Sequence, residues 1–63
     1  MLTFDQARIL AATRSRERPN AQFINRYFYH NPVTKERELR YVVEETSKST
    51  RTVSTYMGGE QVL

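Results

Sequence analysis

The stretch from Phe23 to Glu45 constrains the fold more than any other part of the chain. It reads Phe-Ile-Asn-Arg-Tyr-Phe-Tyr-His, then Asn-Pro-Val-Thr-Lys-Glu, then Arg-Glu-Leu-Arg-Tyr-Val-Val-Glu-Glu. Two runs rich in aromatic and β-branched residues flank a short polar segment with a proline, which is the pattern of a β-hairpin. Asn31-Pro32-Val33-Thr34 suits a type I turn, with Asn first and Pro second. Lys35 then falls where glycine would be easier, so some backbone strain is expected there.

Placing Asn31 opposite Glu36 sets a register. His30 then faces Arg37, Tyr29 faces Glu38, Phe28 faces Leu39, Tyr27 faces Arg40, Arg26 faces Tyr41 and Ile24 faces Val43. Strand side chains alternate between faces. One face collects Ile24, Phe28, Leu39, Tyr41 and Val43. The other collects Phe23, Asn25, Tyr27, Tyr29, Glu38, Arg40 and Val42. Both strands agree on the apolar face, and that agreement supports the register. The first face is expected against a helix, the second open to solvent.

That helix precedes the hairpin. Thr3 and Gln6 have the spacing of a capping box, and Asp5 suits the positive end of the helix dipole. Phe4, Ala7, Leu10 and Ala11 form an apolar stripe, widened by Ile9 and Ala12. Pro19 limits how far the helix continues. After the hairpin, Thr46 to Ser49 is a polar connection, and Thr50 to Met57 has the β-branched content of a third strand. Val53, Thr55 and Met57 are expected on one face, with Thr52, Ser54 and Tyr56 on the other. Gly58-Gly59 ends that strand, leaving a tail, or a short return if something docks it.

The expected fold is therefore α+β: one N-terminal helix packed on a three-stranded antiparallel β-meander. It forms a single small domain over residues 1–63, with a helix over about 3–15, strands over about 22–30, 37–46 and 50–57, and a tail over 58–63.

The last third permits a second reading. Ser49-Thr50-Arg51-Thr52-Val53-Ser54 resembles the start of the recognition helix in Lac-repressor-type regulators, which run Ser-x-x-Thr-Val-Ser. That resemblance implies a mostly helical helix-turn-helix across Tyr41 to Gly58. Lys48 departs from it, standing where an apolar residue normally packs, and so does Ser47, where glycine usually makes the turn. The β-branched residues of Thr50–Tyr56 favour the strand.

The chemistry points to binding rather than catalysis. His30 is the sole histidine and there is no cysteine, so disulfides and thiolate metal sites are excluded and no metal or other cofactor is expected. Glu44 and Glu45 are sequence neighbours and point to opposite faces of a strand. Gly58-Gly59 lacks the spacing of a phosphate loop. No apolar run approaches the roughly 20 residues that span a bilayer, so no membrane partner is expected. Charged residues interrupt the N-terminal stretch from Asp5 onward, unlike a signal peptide. A cytoplasmic or nuclear location is the resulting expectation.

The formal net charge is +3, which favours anionic partners. Aromatic and basic residues interleave along the hairpin. Tyr27, Tyr29, Arg40 and Tyr56 are the expected sheet contacts to DNA or RNA, because tyrosines on an open sheet stack on bases. Arg14, Arg16, Arg18, Arg37 and Arg51 are the expected phosphate contacts. A sheet backed by one helix is similar to the plan of the arm-binding domains of phage integrases, where the helix follows the sheet. The alternative is a protein-interaction module, a homodimer or a small inhibitor or adaptor, since tyrosine and arginine are also enriched at protein interfaces.

Overall fold

The structure is a computed structural model and describes residues 2–62. One helix packs on an antiparallel sheet, an α+β arrangement. Helix α1 runs Phe4–Glu17, followed by strands β1 (Gln22–His30), β2 (Arg37–Glu45), β3 (Thr52–Met57) and β4 (Glu60–Gln61). In the Lac-repressor-like segment Ser49 to Arg51 are loop and turn and Thr52 to Ser54 are strand, so the helix-turn-helix reading is set aside. Leu63, the last residue of the expected tail, lies outside the described residues.

The capping box forms: Gln6 N–H donates to Thr3 Oγ1 (3.3 Å) and Thr3 N–H donates to Gln6 Oε1 (3.0 Å). The helix stops where Arg18 turns extended ahead of Pro19, as the residue before a proline must. Its buried stripe is narrower than expected. Ala7, Ala11 and Ser15 are buried, while Phe4 and Ile9 are exposed. Small residues four apart bring the helix axis close to the sheet, and a close helix leaves no room beneath it for larger flanking side chains. Phe4 instead meets the rim, edge-on to Tyr41 with ring centroids 5.3 Å apart.

The hairpin has the expected register from Ile24–Val43 to His30–Arg37, and the ladder extends to Gln22–Glu45. At its tip, Asn31 Oδ1 accepts from the N–H groups of Val33 (2.8 Å) and Thr34 (3.2 Å). Lys35 takes the left-handed conformation, with φ 67°.

The sheet is not a meander. Its order is β2-β1-β3-β4, so β1 is central and β3 lies along β1's far edge. The outer edge of β2 is already occupied at Tyr41, which exchanges two backbone hydrogen bonds with Leu2 (2.9 and 3.0 Å). Residues 46–51 must therefore cross β1. The gap between β2 and β3 is two strand spacings, about 10 Å, well inside the roughly 20 Å reach of six residues. They cross on the face opposite α1, where Ser47 carbonyl accepts from Asn25 Nδ2 (3.1 Å). Thr46 starts the crossing with φ 58°.

The crossing explains the burial of Asn25. Its side chain is 1 % exposed, and it donates to Glu44 Oε1 (2.9 Å) as well as to Ser47 and accepts from Thr52 Oγ1. A buried amide satisfied this way ties β1, β2, the crossing and β3 together.

A register shift between Ile24 and Asn25 leaves Val53 unpaired, since Ile24 pairs with Ser54 and Asn25 with Thr52. The bulge breaks the expected alternation along β3. Ser54 and Tyr56 face the helix, and Thr52 faces the other way with Asn25. Tyr56 thus joins Ala7, Ala11, Ile24 and Val43 in the core. Beyond it, Gly58 and Gly59 (φ 61° and 86°) make a two-residue turn of the kind that matches strand twist, and β4 returns along β3. The expected tail is thus a docked return: Gly59 N–H donates to Ser15 Oγ (2.8 Å).

Candidate nucleic-acid interface

Two contacts fix how much of the hairpin the helix covers. α1 begins beside the Leu2–Tyr41 bridge and ends at Arg18, whose Nη1 is 2.8 Å from Glu45 Oε1. Everything from Phe28 through the turn to Leu39 lies beyond the helix as an overhanging two-stranded arm. Phe28 and Leu39 share the expected apolar face, yet they are 59 % and 43 % exposed. They were expected in the core, and the helix is too short and too early-starting to reach them.

On this helix-side face of the arm the alternating residues are Arg26, Phe28 and His30 from β1 and Arg37 and Leu39 from β2. No carboxylate is among them. The Arg37 guanidinium lies 4.7 Å from the centre of the Phe28 ring, over one side of it.

The opposite face differs in charge. Tyr27, Tyr29 and Arg40 share it, as expected, but they are spent on neighbours. Arg40 lies 5.9 Å from the Tyr29 ring and 2.7 Å from Glu38 Oε2, and it donates to the Leu39 carbonyl (2.7 Å). Tyr27 donates its hydroxyl to Glu44 Oε1 (3.1 Å), which raises the phenol's pKa. Asn25, followed by Tyr27, holds the Glu44 carboxyl below the ordinary carboxylate range. Arg51 stacks over the Tyr27 ring at 5.1 Å.

The other expected contacts are scattered. Tyr56 is 5 % exposed and is removed from the contact surface, because the β3 bulge turns it toward the helix. Arg14 lies by β2, its Nη1 3.5 Å from the Val43 carbonyl. The stem of Arg16 lies over Gly59, where an added Cβ would come within 2.6 Å of Arg16 Cγ. Arg18 is paired with Glu45, at the end of the sheet remote from the turn. Arg18, then Asn20 and Gln22, hold the Glu45 carboxyl down at about 2. Of the six expected arginines, only Arg37 and Arg51 border the exposed part of the arm without a carboxylate partner among the described residues.

Sequence reasoning missed Arg26 and Phe28. The one available signal was length: a nine-residue hairpin strand extends for about 30 Å, whereas a 14-residue helix crossing it obliquely covers about 21 Å at most. Among the described residues, no group of His, Asp or Glu could hold a metal ion, and no helix is long and apolar enough to cross a membrane. Comparison of the chain with protein-family models, with curated proteins and with solved structures found no match.

Proposed function

We propose that this chain is a small non-enzymatic nucleic-acid-binding module that makes contact through the overhanging arm of β1 and β2. The observation that carries this reading is the helix-side face of the arm. There an exposed Phe28 is stacked under Arg37, flanked by Arg26 and His30, with no acid to neutralise them. Guanidinium groups supply phosphate contacts, and an exposed ring supplies a stacking platform. The tyrosine face contributes less, because Glu38 and Glu44 already balance its charge.

Salt titration tests this. Fluorescent single-stranded and duplex oligonucleotides should bind at low salt and lose affinity steeply as salt rises, because each phosphate contact releases counterions. Absence of binding to either at low salt overturns the reading. A protein partner or homodimer is the second reading, favoured by the adjacent exposed Phe28 and Leu39. It predicts association that depends on protein concentration and little on salt.

A further inference from the structure

We infer that the cleft between Arg26 and Arg51 receives one nucleotide of a single strand, its phosphate between the two guanidinium groups and its base against Phe28. This deepens the nucleic-acid reading and rests on it. The cleft holds about 300 Å³ and is lined by Arg26, Tyr27, Phe28 and Arg51. That is the low end of small-ligand sites, on the scale of one nucleotide unit.

The cleft exists because the β1–β3 ladder stops short. Arg26 N–H donates to the Arg51 carbonyl (2.9 Å), and Tyr41 spends its backbone groups on Leu2. Both bonds point out of the hairpin. Arg26–Tyr41, and by alternation Phe28–Leu39, are therefore pairs of the non-hydrogen-bonded class. The Phe28 N–H likewise points outward, toward the edge where β3 has ended. This outward amide and the two arginines that line the cleft offer a phosphate three sources of donors. Neither arginine is ion-paired to a carboxylate among the described residues. Arg51 is held in place by stacking on Tyr27, and the exposed Phe28 ring that lines the cleft supplies the stacking surface. A duplex keeps its bases inside the stack, so only an unpaired strand can use the ring and the cleft together.

The test uses the full chain and a fluorescent oligothymidylate of about ten nucleotides, within the usual span of single-strand sites. R26Q and R51Q should each weaken binding about tenfold and lower the salt slope by about 0.7, whereas R8Q on the exposed side of α1 should match the unsubstituted protein. Far-UV circular dichroism checks that each variant keeps its fold. On the unsubstituted protein, thymidine 5′-monophosphate should shift the Phe28 amide resonance, and inorganic phosphate should shift it less. If oligothymidylate binds but both arginine variants bind equally well, or if the Phe28 amide does not respond, the cleft assignment is overturned while the module reading stands. A preference for duplex that survives R26Q and R51Q also overturns it. If no oligonucleotide binds at low salt, both readings fall.

Discussion

The hydroxyl of Ser15 accepts the Gly59 N–H at 2.8 Å and donates onward to the Ala12 carbonyl at 2.9 Å. One buried hydroxyl thereby fastens the β3–β4 turn to the last turns of the helix.

Replacing either residue should loosen that attachment. Ser15→Ala leaves the Gly59 N–H without its acceptor and should cost about 1 kcal/mol. Gly59→Ala forces a side chain into the left-handed region and against Arg16, whose stem can swing away. The backbone term remains, so about 1–2 kcal/mol is expected. Urea unfolding monitored by circular dichroism measures both.

Asn25→Ala should be among the most damaging changes on the non-helix face. It removes the donor to the Ser47 carbonyl and to Glu44 and the acceptor of the Thr52 hydroxyl, and it empties a side-chain site that is itself buried. The expected loss is about 2–3 kcal/mol. An unfolding midpoint equal to that of the unsubstituted protein would show that the crossing does not depend on this amide.

The two tyrosines Tyr56 and Tyr29 should behave oppositely. Tyr56→Ala opens a cavity under the helix and should cost about 3–5 kcal/mol, enough to unfold a domain of this size. Tyr29→Ala removes a largely exposed ring and should change stability by less than about 0.5 kcal/mol. Thermal melts of the two variants give the comparison directly.

Acid should weaken the fold through Glu45. Its carboxyl titrates at about 2 when folded, below the ordinary value in the unfolded chain. The unfolded chain therefore binds the proton first. The contribution of Glu45 is complete above the ordinary carboxylate range and is lost as pH falls through it toward 2. Glu44 acts in the same direction. Melting temperature should thus be level near neutrality and decline below about pH 4.5, and Glu45→Gln should make the decline shallower.

The hairpin was legible in the sequence because alternation and the Asn31-Pro32 turn constrain the same register independently. The helix start was legible because Thr3 and Gln6 are a local signal. The strand order was not, because it depends on which edge of the hairpin is free, and Leu2 settles that from twenty residues before the hairpin begins. Tyr56 was misplaced for a related reason. A single bulge at Val53 reverses the faces of β3, and nothing in Thr50–Met57 distinguishes a bulged strand from a regular one. Among the candidate contacts, Arg37 and Arg51 were readable as exposed cations. The importance of Arg26 and Phe28 depends on where the helix ends, which the alternation does not encode.

The six residues between Glu45 and Thr52 are fastened to Asn25 near both ends, through the Ser47 carbonyl and the Thr52 hydroxyl. Shifting β2 by one two-residue step along β1 moves its end by about 7 Å, which would pull Glu44 and Ser47 off the Asn25 amide that also holds Thr52. The crossing acts as a gauge: it measures the β1–β2 alignment and transmits the result to the far side of the sheet. Two ladders that could slip separately are coupled into one all-or-none unit, in a chain whose small core alone would do little to enforce a single register.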